Sequence, residues 1–84
     1  MTDAERAQKL ESIFLDVMKE ETVPVRQRTK TNCAHWDSIT QLSIISSIEQ
    51  EFAIRIADED VLDLNSFEAA LHIVTEKMTQ QPAR

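Results

Sequence analysis

The sequence contains no glycine and no tyrosine, only two prolines, one tryptophan, three phenylalanines and a single cysteine. A β-sandwich or barrel needs many tight turns and aromatic-rich strands, so this balance favours helices. One cysteine, Cys33, excludes an internal disulfide and removes any need for an oxidising compartment. Clustered basic residues are scarce as well: acids outnumber Lys and Arg by 15 to 9, which argues against a nucleic-acid partner. No apolar run approaches the length of a membrane span, and no membrane partner is expected. The opening residues Met-Thr-Asp-Ala-Glu-Arg are charged and lack the apolar core of a signal peptide, so the expected location is cytoplasmic.

What is present fits one small domain over residues 1–84, with a core from about 3 to 78 and a frayed tail from 79 to 84. So short a chain has room for one core but not for a deep enclosed pocket, and no enzyme activity is expected. The hydrophobic content of 42 % is ordinary for a folded domain. Charge is unevenly spread. Between 49 and 68, Glu49, Glu51, Asp58, Glu59, Asp60, Asp63 and Glu68 face only Arg55, whereas 22–37 carries Arg26, Arg28 and Lys30 against Asp37. The three bases are expected on a solvated loop face. The acidic stretch is either a solubility device or a surface that steers partners.

Apolar spacing predicts a first helix from about Asp3 to Lys19, capped by Thr2 and Glu5, with Ala4, Ala7, Leu10, Ile13, Phe14, Val17 and Met18 on one stripe. From Glu20 to Asp37 the pattern fails, with Pro24 inside a polar stretch, and predicts a long loop with room for one short turn. A second helix follows from Ser38 to about Phe52. Ser38 and Gln41 have capping-box spacing, with Asp37 a competing cap. Ala53 to Ile56 reads as a short extended link. A short third helix over Glu59–Leu64, capped by Asp58, carries Val61, Leu62 and Leu64. Asn65 and Glu68 would cap a last helix from Ser66 to about Met78. The expected fold class is thus all-α: a small helical bundle of three amphipathic helices plus one short helix, with a long loop between the first and second.

The segment Trp36-Asp37-Ser38-Ile39 opens a helix after that loop, and there chemistry could sit. A hydroxyl at a helix start lies where unpaired amides and the positive end of the helix dipole converge, which favours a phosphate ester on Ser38. Asp37 could bind a cation or orient a modifying enzyme. On spacing alone, either residue is equally an ordinary N-cap. Cys33, His35 and His72 lack the spacing of a metal set, so no metal is expected. A Cys33–His35 nucleophile would need a pocket and an orienting third group. Trp36 is expected to anchor the loop over the bundle. At about 100° per residue, Ile44, Ile45, Ile48 and Phe52 share one face of the second helix. Ile39 falls among Ser43, Ser46 and Gln50, and Leu42 lies on the border, so both are candidates for an exposed apolar contact.

The stretch His35-Trp36-Asp37-Ser38-Ile39-Thr40-Gln41-Leu42, continuing to Ile48-Glu49-Gln50-Glu51-Phe52, resembles the acyl and peptidyl carrier protein family. That family has an Asp-Ser-Leu motif opening its second helix and a phenylalanine fourteen residues after the serine; Ser38 and Phe52 stand at that separation. Ile54, Ile56, the acidic short helix and Phe67-Glu68-Ala69-Ala70-Leu71 extend the likeness over essentially the whole chain. The resemblance implies a free-standing, monomeric acyl carrier with 4'-phosphopantetheine on Ser38, beside Asp37, transferred from coenzyme A by a phosphopantetheinyl transferase. The arm would hold acyl groups as thioesters for the loading, condensing and transferring enzymes of fatty acid, polyketide or related biosynthesis. Ile39, Leu42, Glu49 and Glu51 would meet those partners. A peptidyl or aminoacyl carrier of a nonribosomal pathway is the near variant, and a helical adaptor without a prosthetic group is the rival class. Three departures stand out. Isoleucine follows the serine, Asn32-Cys33-Ala34-His35 and Ala53 stand where glycines are common, and Ser43, Ser46 and Ser47 make the second helix less acidic. If Ala53 takes a left-handed conformation, it costs about 1 kcal/mol relative to glycine.

Overall fold

A computed structural model describes residues 2–19 and 21–80. It contains α1 (Asp3–Val17), a single 3₁₀ turn (Val25–Gln27), α2 (Ser38–Phe52), α3 (Asp58–Asp63) and α4 (Phe67–Gln80). The all-α bundle with three long helices, one short one and a long first loop is as the sequence predicts. α4 continues past Met78. Glu20, expected to open the loop, and residues 81–84 of the expected tail lie outside the described residues.

α1 starts on the capping box read from the sequence. The Thr2 hydroxyl accepts from the Glu5 amide at 3.2 Å, and the Glu5 carboxylate accepts from the Thr2 amide at 2.8 Å. Its apolar stripe packs on α2 and α4, and Leu10 and Phe14 are fully enclosed. Phe14 is central: its ring meets Trp36 edge-on at 5.3 Å and Phe67 edge-on at 5.2 Å, an arrangement that suits aromatic quadrupoles. Trp36 therefore anchors the loop in the core, as expected. Ile44, Ile45, Ile48 and Phe52 line the buried side of α2, and Phe67, Ala70, Ile73 and Val74 that of α4.

Arg28 departs from the expected solvated face: only 3 % of its surface is exposed. Its guanidinium fork gathers backbone carbonyls from the last turn of α1 and from the chain that follows it. Nη1 donates to the carbonyls of Phe14 at 3.5 Å and Met18 at 3.1 Å, Nε to that of Val23 at 2.9 Å, and Nη2 to that of Glu21 at 3.3 Å. Arg26 pairs instead with Glu11. One isolated antiparallel bridge, Thr29 with Ser66, ties the middle of the loop to the start of α4. Its amide bonds run from Lys30 to the Asn65 carbonyl and from Phe67 to the Arg28 carbonyl, each 2.9 Å.

The remaining caps fall within a residue of their expected positions. Of the two caps open to α2, Asp37 takes the place, because its carboxylate accepts from the Thr40 amide at 2.9 Å. α3 begins at Asp58 after Ala57, with the Asp60 carboxylate reaching back to the Ala57 amide at 3.3 Å. Ser66, not Asn65, caps α4 by accepting from the Ala69 amide at 3.0 Å. α2 ends on Ala53 with φ 55° and ψ 46°, the left-handed conformation that its position suggests. The link then alternates as predicted, with Ile54 buried, Arg55 exposed and Ile56 half-buried.

Candidate functional site

Ser38 is the first helical residue of α2 and is exposed. Since Asp37 takes the capping position, the Ser38 hydroxyl is left with no hydrogen-bond partner among the described residues. The Thr40 amide, first among its donors, holds the Asp37 carboxyl below the usual aspartate range. An anion therefore stands directly beside the serine near neutral pH.

The loop reaches this point through two fixings. Trp36 is buried against Phe14, and its Nε1 donates to Gln41 Oε1 at 2.6 Å. On the other side the Glu21 carboxylate accepts from the His35 amide at 2.7 Å and from His35 Nδ1 at 2.6 Å, which places the proton on Nδ1. The His35 amide, and then its ring, hold the Glu21 carboxyl below the usual glutamate range. The two residues before Asp37 are thus held from opposite sides.

Of the expected apolar contacts, Ile39 is 76 % and Leu42 66 % exposed. Leu62, one of the three apolar residues of α3, is 80 % exposed. Gln41 is the converse: expected as half of a capping box, it is 95 % enclosed, at 5 % exposure. The signal was available. Gln41 lies three and four residues before Ile44 and Ile45, on the stripe that faces the core.

Glu49 and Glu51 sit far from Ser38, at the other end of α2, roughly 16–20 Å along the axis at about 1.5 Å per residue. Glu49 is half-buried and accepts from the Ile56 amide at 2.9 Å, and Glu51 pairs with Lys9 at 2.7 Å. The exposed acids of α3 are Asp58, Glu59 and Asp63, while Asp60 is drawn to Lys77 at 2.8 Å. Two hollows flank the serine. One, of about 480 Å³, opens beside Asp37 and Thr40 against the end of α1. The other, of about 440 Å³, is lined by Ser38 itself with Trp36, Gln41, Leu42 and Val61.

The other candidates do not converge. Burial first, then the Glu21 carboxylate, push the Cys33 thiol up, which keeps it protonated and a poor nucleophile. His35 turns to Glu21, and His72 pairs with Glu76 along α4. Among the described residues no cluster of three or more His, Cys, Asp and Glu side chains is placed to hold a metal ion. No helix among them is long and apolar enough to cross a membrane. No protein-family model matches this chain, and no curated protein matches it significantly.

Proposed function

We propose that this chain is an acyl carrier protein whose Ser38 receives 4'-phosphopantetheine from coenzyme A through a separate transferase. The observation that carries the reading is the exposed, unbonded Ser38 hydroxyl at the first position of α2, with the cap supplied by Asp37. A serine kept for capping would be engaged with the amides; here it is spare. The residues suit the group. A phosphodiester on Ser38 would sit at the start of α2, where the helix dipole favours negative charge. When bound, the group supplies a thiol on a flexible arm that holds acyl cargo.

The chain's own residues do the rest. Asp37 shapes the first turn and presents a carboxylate to the modifying enzyme. Ile39 and Leu42 offer an exposed apolar contact in the turn of α2 that carries the serine, Leu62 is a further exposed apolar side chain on α3, and Asp58, Glu59 and Asp63 give α3 a negative field that steers basic partners. The helices position cargo for partner enzymes and catalyse no step themselves. The thiol of the arm is the same for acyl and aminoacyl cargo, so the peptidyl carrier is the same proposal with a different partner set. The apolar contact alone would also suit a helical adaptor, working in the cytoplasm like the carrier.

Intact mass after incubation with coenzyme A and a broad-specificity phosphopantetheinyl transferase separates the two classes. Wild type should gain one phosphopantetheine group, and Ser38→Ala should stay at apo mass. Because Asp37 holds the cap, that substitution should change stability by no more than about 0.5 kcal/mol, the range of ordinary surface changes. An unmodified wild type across several transferases refutes the carrier reading and leaves the adaptor.

A further inference from the structure

The six residues of α3 are too few to hold a helix by themselves, and none of them is fully buried. Four fastenings keep α3 in place: the Asp60–Lys77 pair at 2.8 Å, the half-buried Val61 against the core, the fully buried Leu64 at its C-terminal end, and Gln41. Gln41 spends its whole amide on this task. Its Nε2 donates one proton to the Val61 carbonyl at 3.1 Å and the other to the Leu64 carbonyl at 3.0 Å, capping the end of α3. Its Oε1 accepts from Trp36 Nε1 at 2.6 Å. A single side chain, three residues after Ser38, therefore joins the loop before the serine, the first turn of α2 and the end of α3.

The groove of about 440 Å³ beside Ser38 runs over this junction, since Gln41, Trp36 and Val61 all line it. The core lies directly behind, because the Trp36 ring that lines the groove also meets Phe14 at 5.3 Å. A chain passing from the groove to the core between α2 and α3 would have to part Gln41 from both carbonyls. That would strand an enclosed amide and the Leu64 carbonyl, and leave the Val61 carbonyl only its bond from the Leu64 amide at 3.2 Å, in a place where unpaired polar groups are most costly. We propose that Gln41 latches α3 against α2, so that the groove beside Ser38 is a closed-bottomed surface seat for a short acyl group and not an entrance to the core. The cargo clause rests on the carrier reading; the latch does not. A group of a few carbons lies against Leu42 and Val61, whereas a longer chain has no apolar interior to enter and projects beyond the groove.

Two measurements test it. The first is amide hydrogen exchange by NMR on the apo protein. In Gln41→Leu, protection at Val61 and Leu64 should fall about tenfold or more, while Phe14 in α1 and Val74 in α4 keep theirs, the signature of local opening. Trp36→Phe keeps the ring but removes the donor, and should show a smaller fall confined to the same amides, which serves if the first variant does not fold. Unchanged α3 exchange, or an equal loss in every helix, overturns the latch. In the second, wild type is loaded with acetyl- or decanoyl-phosphopantetheine from the corresponding acyl-coenzyme A, and methyl spectra are compared. Leu42 and Val61 should respond to either load, and Ile44 and Ile48 to neither. In Gln41→Leu the decanoyl form should move Ile44 and Ile48. Decanoyl-dependent shifts of Ile44 and Ile48 in wild type overturn the surface seat. Failure to load at Ser38, read as mass, refutes the carrier reading and the cargo clause together, while exchange still judges the latch.

Discussion

Ile39 and Ile48 share a helix and a side-chain type, yet their environments are opposite. Ile39 is largely in water directly after Ser38, and Ile48 is fully enclosed between helices. Truncating Ile48 to alanine removes packed methyl groups and leaves a cavity, which should cost about 2–5 kcal/mol. Ile39→Ala leaves no cavity, and its stability should change by no more than about 0.5 kcal/mol. Its effect belongs in recognition: the rate of loading by the transferase should fall with the fold intact. Denaturant unfolding and loading kinetics on the two variants check both halves, and an Ile39→Ala loss as large as that of Ile48→Ala would make the exposed contact ordinary core. Ala53 supplies the opposite test. Its left-handed conformation crowds Cβ against the backbone, so Ala53→Gly should raise stability by about 1 kcal/mol. For a domain of this size that is a rise of about 4–8 °C in Tm, measurable by calorimetry.

At the scale of elements, the long loop is the least regular part of the chain and yet one of the more firmly held. Arg28 fastens it to the end of α1, the Thr29–Ser66 bridge to the start of α4, and Glu21 to His35 just before the serine. The Glu21 fastening is pH-dependent. Hydrogen bonds from His35 lower the folded-state pKa of Glu21 below its ordinary 4.5, with a smaller contribution from the Arg28 charge. A lowered carboxylate stabilises the fold fully above the unfolded value, and that contribution is lost as the pH falls through the lower folded value. Protection of the His35 amide should therefore hold at neutral pH and drop only in acid, below the ordinary glutamate range. Glu21→Gln should weaken that protection at neutral pH and remove the acid step. An acid step of the same size in Glu21→Gln would assign it to another group.

For the whole molecule, the structure thins out the acidic stretch seen in the sequence. Glu49, Glu51 and Asp60 are engaged within the fold, which leaves Asp58, Glu59 and Asp63 exposed on α3. If that face steers partners, loading should slow as ionic strength rises, because salt shortens the reach of surface charge. Glu59→Lys should then slow loading by about 2–10-fold at low salt, and Glu76→Lys on α4 much less. Equal effects would reduce the charge to a solubility device.

The helices, the long loop, the buried face of α2, the exposure of Ile39 and the anchoring by Trp36 were all legible in the chain, whereas Ala4 of the first stripe is exposed and Ile73 joins the buried face of α4. Each rests on local periodicity or on residues a few positions apart, which helix geometry converts directly into a face. Three features needed the tertiary structure. Arg28 read as a solvated base because its partners are backbone carbonyls, which carry no sequence signature. Gln41 read as half of a cap because its partners, the carbonyls at the end of α3, lie twenty and twenty-three residues away. Leu62 read only as apolar, because six residues are too few for periodicity to say which side of a short helix faces the core. Sequence alone determines which elements form and which stripe each buries. Where a polar side chain spends its hydrogen bonds was decided only when distant segments met, because its donors and acceptors take whatever partners folding brings within about 3 Å.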